Sequence, residues 1–314
     1  MEISQLRTLI SVAELGSLSK AAERMRVAQP ALSRQMRMLE KELGVALFTR
    51  HGRGMELTEH GRETLKHASR VVAELDEIRA SASDADAPLS GQIAIGVPPT
   101  VAETISVPLA AAFGQAHPAV TLRLTNAYTG YLVEWLQRGD LDLAVLYDPR
   151  PARALRTLPL LLESLFVIGP PQAGFSTVRA MPFKALDGKR LLLPGVRHGL
   201  RTIVDRCAAE AGVSLDVKVE ADAYATLKEL VRHGHGWTIL PLAPIHDEVV
   251  GGTLTAAPLI DPAPSRRLVL SFAADRSISR LARFAGRRIV DIVAERVERA
   301  DWAGQLLSAE SNEL

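Results

Sequence analysis

Apolar positions near the start of the chain recur at spacings of three and four, the period of short helices. The first such run stops at Gly16, where a helix is expected to end. The stretch "KAAERMRV" predicts a second helix, for which Ser17 and Ser19 are both candidate caps. A third helix, "QPALSRQMRMLEKEL", is expected to open at Pro30 and to close at Gly44.

A hairpin and a long helix follow these three helices. In "ALFTRHGRGMELTEHG", two short apolar pieces flank Gly52 and Gly54, which favours a tight hairpin. Thr58 then caps a helix that we expect to run to about Ser83, roughly 37 Å at 1.5 Å per residue. Its apolar positions form a narrow seam that suits pairing with a second copy of the same helix. The seam residues are Leu65, Ala68, Val72 and Leu75.

Beyond the long helix the pattern changes from helices to strands alternating with helices. The small, polar stretch "SDADAPLSGQ" predicts a hinge at 84–90. Alternating strands and helices favour parallel or mixed α/β sheets, and eight or more strands in about 200 residues favour two lobes over one. The strand candidates are "QIAIGV", "TLRLTNA", "LDLAVLY", "SLFVIGP", "RLLLPG", "DVKVEA", "GWTILP" and "RLVLSFAA".

The composition is that of a globular protein in a reducing compartment. Apolar residues make up 47% of the chain, and 37 basic residues nearly balance 36 acidic ones. We expect no secretory signal, because the N-terminus lacks a basic region followed by a long apolar run. We expect no membrane span, because no window of 18 apolar residues without a charge occurs. The single cysteine, Cys207, forms no internal disulfide, and its flanks favour a packed side chain over a reactive thiol.

The third helix carries two distinct faces, since at about 100° per residue its apolar and polar positions separate into two stripes. The apolar stripe is Leu32, Met36, Leu39 and Leu43. The polar stripe is Pro30, Ser33, Arg34 and Arg37. Between residues 20 and 37 there are five basic residues and one acidic residue, so the nearly neutral chain carries a local basic surface.

This surface predicts a helix-turn-helix whose second helix enters the major groove of DNA. Gln29 and Arg34 are suited to adenine and guanine edges, and Ser33 is short enough to allow close approach. Arg50 and Arg53 on the hairpin are expected to reach phosphates or the minor groove as a wing. The alternative is a solvated basic helix face with no partner.

The segment "LISVAELGSLSKAAERMRVAQPALSRQMRMLEKELGVALFTRHGRGMELTEHG" resembles the winged helix-turn-helix of LysR-type transcriptional regulators. The resemblance continues through "LQRGDLDLAVLYD" and "HGHGWTILP", and "NAYTGYLVEWLQRGDLDLAVLYDP" looks closest to the nitrogen-assimilation-control branch. It implies a cytoplasmic bacterial regulator that binds promoter DNA, is usually a homotetramer built from dimers, and contacts RNA polymerase if it activates. The DNA contacts expected from the motif and the resemblance are Ser19, Lys20, Gln29, Pro30, Ser33, Arg34, Arg37, Arg50 and Arg53.

The same resemblance implies a two-lobed C-terminal domain like that of periplasmic binding proteins. We therefore expect a winged helix-turn-helix at 1–58, a linker and dimerisation helix at 59–83, the hinge at 84–90, an effector-binding domain at 91–300 and a tail at 301–314. Lobe I is expected at about 91–162 and 268–300, and lobe II at about 163–267.

Ligands of such domains lie where strands end and helices begin. The loops "GVPPT", "NAYTG" and "PGVRHGLR" meet that description. A small organic acid is the expected effector, because threonine hydroxyls, free backbone N–H groups and one arginine at these places suit a carboxylate. The expected contacts are Thr100, Tyr128, Thr129, His198 and Arg201. The alternative for each is local, with the threonines as helix caps and the arginine as a surface cation. Pro98 and Pro99 depart from the family loop, which often carries a serine, so a constitutive regulator without effector stays open.

Other classes of function find less support in the sequence. No GxSxG, P-loop, GxGxxG after a strand, or HExxH motif occurs, so we expect no enzyme and no cofactor. His233 and His235 raise a metal hypothesis, but no carboxylate or cysteine cluster accompanies them at ligand spacing. A solute-binding protein for transport would share the C-terminal fold, but the predicted DNA-binding helices argue against it.

Overall fold

The computed structural model describes residues 1–51, 54–81, 89–149 and 154–307. The chain forms two compact units, Met1–Ala87 and Pro88–Leu314. Most of the predicted hinge at 84–90 lies outside the described residues. Among the helices that the structure describes, none combines the length and the apolar character needed to span a membrane.

The first unit has the predicted order of three helices, a hairpin and a long helix. Its elements are α1 (Ile3–Leu15), α2 (Leu18–Met25), α3 (Gln29–Leu43), β1 (Phe48–His51), β2 (Gly54–Leu57) and α4 (Glu59–Ser81). Ser17 caps α2 by accepting a hydrogen bond from the backbone N–H of Lys20 at 3.4 Å. Ser19, the other candidate cap, lies inside the helix and is exposed. Thr58 caps α4 as predicted, since its Oγ1 accepts from Gly61 N at 2.9 Å.

The core of the first unit is built where α1, α2 and α3 meet the hairpin. Leu32, Met36 and Leu39 of α3 are buried there, but Leu43 is exposed, so including it in the apolar stripe was wrong. The start of α4 lies so close to Leu47, the residue before β1, that a Cβ on Gly61 would fall 2.0 Å from the carbonyl oxygen of Leu47. Glycine is therefore required at this position.

The predicted seam of α4 packs largely on its own chain. Ala68 is only 2% exposed within the helix-turn-helix core, and Leu65 and Val72 pack against the same core. The expectation that this seam must be buried by a partner helix is therefore wrong for these residues. Among the described side chains of α4, the large apolar ones that are exposed are Val71 and Ile78, at 46% and 59%, seven residues apart.

The second unit contains a mixed sheet with helices on its faces. Its strands are β3 (Ser90–Val97), β4 (Ala119–Asn126), β5 (Leu143–Tyr147), β6 (Leu155–Gly169), β7 (Met181–Pro182), β8 (Arg190–Leu193), β9 (Asp216–Glu220), β10 (Thr238–Pro241), β11 (Thr255–Ile260), β12 (Ser265–Ala273) and β13 (Gly304–Leu306). Its helices are α5 (Pro99–Ala116), α6 (Thr129–Arg138), α7 (Gly199–Ala211), α8 (Tyr224–Arg232), α9 (His246–Val250) and α10 (Arg280–Glu298).

Strand β6 runs through both lobes, which are arranged as the two-lobed domain predicted from the sequence. The strand order is β4-β3-β5-β12-β6-β11-β7, with β10 and β13 also paired to β6. Strand β6 pairs with β12 up to Ser164 and with β10 from Leu165 onward, so its partner changes within two residues. One core surrounds α5 and α10 in the first lobe, and another surrounds α7, α8 and β8 in the second. Buried Cys207 belongs to the second core, as expected for a packed thiol.

Residues 301–307 belong to the fold, so the prediction of a tail that begins at 301 is wrong for them. Trp302 is buried in the core of the first lobe, and β13 pairs with β6 through residues 161–163. The short segment "WAGQL" lacks a detectable strand pattern of its own, because its order comes from pairing with a strand about 140 residues earlier in the chain.

Candidate functional site

Helix α3 presents a polar face at the surface of the first unit. Burial of its apolar stripe against α1 and α2 leaves Gln29, Pro30, Arg34 and Arg37 exposed and Ser33 half-buried. The Thr8 hydroxyl in α1 donates to Gln35 Oε1 of α3 at 2.5 Å and ties the two helices. The geometry is that of a helix held by one side and open on the other, as groove binding requires.

The basic residues of this region divide into structural and free cations. Arg24 donates to Glu14 Oε2 at 2.5 Å and to Ser11 Oγ at 3.0 Å, which joins α2 to α1. Arg37 Nε makes a long contact of 3.4 Å with the backbone oxygen of Ser33. For Arg34, the described part of the chain provides no hydrogen bond or ion pair, so its guanidinium is available to an outside partner.

The hairpin is fixed to α3 by a carboxylate. Glu40 Oε1 accepts hydrogen bonds from the backbone N–H groups of Leu47 at 2.8 Å and Phe48 at 3.3 Å. The orientation of the hairpin therefore follows that of α3. The side chain of Arg50, and the whole of Arg53, lie outside the described residues, so their predicted phosphate contacts stay predictions.

In the second unit, a cleft of about 1340 Å³ opens between the two lobes. Helices α5, α6, α7 and α8 begin at its walls: α5 through Pro98–Thr100, α6 through Tyr128–Tyr131, α7 through His198–Leu200 and α8 through Tyr224. Helix N-termini carry partial positive charge, so the cleft favours anions. All four tyrosines of the chain line it: Tyr128, Tyr131, Tyr147 and Tyr224.

A buried arginine lies at the base of this cleft. Arg266 is 6% exposed, and its Nε donates to Glu163 Oε2 at 2.6 Å. Its Nη2 donates to the Tyr147 hydroxyl at 2.8 Å and to Thr100 Oγ1 at 3.2 Å. Arg266 and Glu163 face each other directly across β12 and β6. The arrangement holds one guanidinium at a fixed place beside two hydroxyl groups.

The pKa values of the network follow from its burial and its charges. Burial opposes the charged form of Arg266, but Glu163 and Tyr147 outweigh it and raise the pKa of Arg266 above its ordinary value. Burial also raises the pKa of Tyr147. Both therefore keep their protons at neutral pH, so the base of the cleft holds a charged guanidinium beside two neutral hydroxyls.

Four of the five predicted effector contacts line the cleft, each with a partner in the protein. Thr100 belongs to the Arg266 network. Thr129 Oγ1 accepts from Tyr147 N at 3.1 Å, so it joins α6 to β5. The Tyr128 hydroxyl donates across the cleft to the backbone oxygen of Asp222 at 2.7 Å. His198 caps α7, since its Nδ1 accepts from Leu200 N at 3.1 Å. Neither threonine is a helix cap, since the caps are Pro98 and Tyr128.

Arg201, the fifth predicted contact, is placed elsewhere. Its guanidinium donates to Asp205 Oδ1 at 2.9 Å, to Glu220 Oε1 at 3.0 Å and to the backbone oxygen of Pro194 at 3.3 Å. It does not line the cleft. The expectation that it provides the cation for an effector is corrected, because two carboxylates already neutralise it.

Sequence reasoning missed Arg266 and Glu163 although a signal was present. Each is a charged residue that adjoins a run of apolar strand residues, in "SRRLVLSF" and in "LLLESLFVIG". Two such strands with opposite charges are candidates for a buried pair. The histidines considered for a metal lie at the exposed end of α8, where His233 caps the helix.

Comparisons with known proteins cover nearly the whole chain. Residues 3–62 match the family described as bacterial regulatory helix-turn-helix protein, lysR family, and residues 86–291 match the LysR substrate binding domain. The HTH-type transcriptional regulator BbuR of Bordetella bronchiseptica is 30% identical over 305 residues, which are 97% of this chain and 93% of that protein. The nitrogen assimilation regulatory protein nac of Escherichia coli is 28% identical over 98% of this chain and its own full length.

The solved structures give the same picture for the fold. OxyR of Corynebacterium glutamicum aligns with a TM-score of 0.71 at 25% sequence identity, over 95% of this chain and 93% of that one. The similarity includes both units of the chain.

Proposed function

This chain belongs to the LysR family of transcriptional regulators, and from that premise we propose that it binds promoter DNA through α3 and senses a small organic anion in the cleft of its second unit. The anion is the effector, and it changes how the protein occupies DNA rather than whether it binds. Because the proposed target is promoter DNA, we expect the protein to act in the cytoplasm.

The DNA half of the proposal rests on the exposed face of α3. Gln29 and Arg34 contact base edges, Ser33 and Pro30 allow close approach, and Lys20 and Arg37 contact phosphates. Further contacts with the sugar-phosphate backbone of the DNA come from Ser19 at the exposed start of α2 and from Arg50 and Arg53 of the hairpin. Among the described residues Arg34 has no partner, so its guanidinium is free to contact a base edge.

The sensing half rests on one observation, the fixed guanidinium of Arg266 beside the hydroxyls of Thr100 and Tyr147. Guanidinium and hydroxyl donors together suit a carboxylate. Two prolines remove N–H donors from the start of α5, so Arg266 and Thr100 supply the polar contacts there. The starts of α6 and α7, with Tyr128, Thr129 and His198, complete the anion site.

Dimerisation is proposed through the exposed side of α4. Val71, Leu75 and Ile78 follow one another at steps of four and three, the spacing of a coiled-coil seam. Two dimers then form the tetramer. Ala68 is not part of this proposed seam, because it is buried where α4 packs on the rest of the DNA-binding unit.

The decisive experiment is to recover and sequence the DNA bound by the protein in its native cell and to footprint the recovered promoter with purified protein. We expect a protected site without added metabolite, and a change in the footprint when a carboxylate metabolite of the adjacent genes is added. Arg34→Ala should abolish protection while Thr100→Val should abolish only the change. A footprint that no metabolite alters would favour the constitutive regulator instead.

An enzymatic role is tested separately. We infer that the protein acts by binding alone, without cofactor or metal. A turnover screen of the full chain with carboxylates and esters should give no product, and a rate that Arg266→Met abolishes would contradict the inference.

A further inference from the structure

The C-terminal segment contacts the cleft network through a single carboxylate. Glu163 is 1% exposed and divides its two oxygens between two donors. Its Oε2 accepts from Arg266 Nε at 2.6 Å, and its Oε1 accepts from the indole Nε1 of Trp302 at 2.7 Å. Trp302 does not line the cleft, yet it lies one hydrogen bond away from the group that holds the cleft cation.

The division of Glu163 sets the direction of Arg266. An unrestrained carboxylate would take the guanidinium with both oxygens, in a two-point pair that uses two of its N–H groups. Because the indole occupies Oε1, Glu163 meets Arg266 through Nε. The Nη2 end is left to meet Thr100 and Tyr147 on the cleft side.

The segment that contains Trp302 is hydrogen-bonded to β6, the strand of Glu163. Ser164 N donates to the backbone oxygen of Ala303 at 3.0 Å, and Gly304 lies directly opposite Glu163 in the ladder. A Cβ on Gly304 would fall 2.5 Å from the backbone oxygen of Leu162, so glycine permits this close approach. The backbone pairing of Ala303 with Ser164 and of Gly304 with Glu163 therefore fixes the position of the Trp302 indole beside Glu163.

We propose that Trp302 is a positioning residue for the effector site, which holds Arg266 in its anion-binding orientation by fixing Glu163. The inference rests on the proposed function for its consequence, the affinity for an anion. It adds that strand β13, which follows Trp302, is part of the sensing machinery. Removing the indole N–H frees Glu163 to take both ends of the guanidinium and draws Arg266 away from the cleft.

The first test needs no ligand. The chain has three tryptophans, Trp135, Trp237 and Trp302, so full-length protein labelled with 5-fluorotryptophan gives three fluorine resonances that tryptophan-to-phenylalanine variants assign. Arg266→Lys should shift the Trp302 resonance and leave the other two unchanged, because lysine cannot hold Glu163 and both hydroxyls in the same geometry. A stationary Trp302 resonance would overturn the proposal. Should the lysine variant fail to fold, Thr100→Val gives the same test from the other end of the network.

The second test measures the consequence. Sodium acetate, succinate and benzoate are the probes, and the readout is the footprint on the recovered promoter. For any probe that changes the wild-type footprint, Trp302→Phe should raise the half-effective concentration about tenfold, the effect of one hydrogen bond to a charged group. Trp237→Phe, which alters another partly buried indole packed on Phe175, should leave it unchanged.

The outcomes separate the two proposals. A wild-type footprint that responds to a carboxylate, with an equal response in Trp302→Phe, overturns the positioning role and leaves the proposed function standing. A wild-type footprint that responds to no carboxylate counts against the proposed function, and the fluorine spectrum alone then decides whether Trp302 positions Arg266.

Discussion

The buried pair of Arg266 and Glu163 gives the sharpest energetic prediction. Glu163→Leu leaves a buried cation without its counter-ion, and Arg266→Met leaves a buried anion, so each should destabilise the second unit by about 3–5 kcal/mol. The double variant leaves no charge and the Tyr147 hydroxyl keeps Thr100 Oγ1 at 3.1 Å, but the Trp302 N–H loses its acceptor, at a cost of about 1–3 kcal/mol. The double variant should therefore be more stable than either single variant.

The assay is urea unfolding of the full chain followed by tryptophan fluorescence, which reports on the second unit because the three tryptophans all lie beyond residue 88. With a slope of about 3 kcal/mol per molar urea, a loss of about 4 kcal/mol lowers the midpoint by about 1.3 M. Single variants that leave the midpoint unchanged, or a double variant whose loss equals the sum of the singles, would refute the argument that the pair is buried and coupled.

Three further predictions concern the other parts of the molecule. Arg34→Ala should weaken specific DNA binding by about 1–3 kcal/mol per recognition helix with an unchanged oligomer, as footprinting and sedimentation will report, and equal affinity would remove α3 from the base contacts. Val71→Glu with Ile78→Glu should weaken self-association in sedimentation, because charge enters an apolar seam, and an unaltered assembly would place the interface elsewhere. Burial and then Arg266 lower the pKa of His198 below 6.5, so the folded state prefers neutral imidazole. The stability that His198 contributes is therefore fully present above about pH 6.5 and is lost as the pH falls from there toward the folded pKa. The urea midpoint should accordingly fall between about pH 7.5 and about pH 5. The fall should be less steep in His198→Asn, which keeps an acceptor for Leu200 N.

Local pattern predicted the first unit well because its elements are set by neighbours in sequence. Gly16 and Gly44 end α1 and α3 in the left-handed conformation, as their positions after apolar runs predicted. The same method failed where distant segments decide. The burial of Ala68 depends on α1, which lies more than fifty residues earlier, and nothing in the spacing of α4 distinguishes its own chain from a partner.

The sequence predicted where the cleft lies but not which cation it contains. Loops between strands and helices pointed to Thr100 and Thr129, since that signal is local. The cation was assigned to Arg201 of α7, whose neutralisation by Asp205 was visible at a spacing of four but whose second partner, Glu220, lies on strand β9. Arg266 required the register of β12 against β6, which the sequence of either strand alone does not specify.

The tyrosine and tryptophan absorbance and fluorescence of the molecule come entirely from residues beyond 87. Each of the four lines the cleft, and residues 1–87 contain neither tyrosine nor tryptophan. The DNA-binding unit is therefore nearly silent in near-ultraviolet absorbance and fluorescence. Any tyrosine difference spectrum that appears on adding promoter DNA to the unlabelled wild-type protein originates in the sensing cleft, so it measures communication between the two units directly.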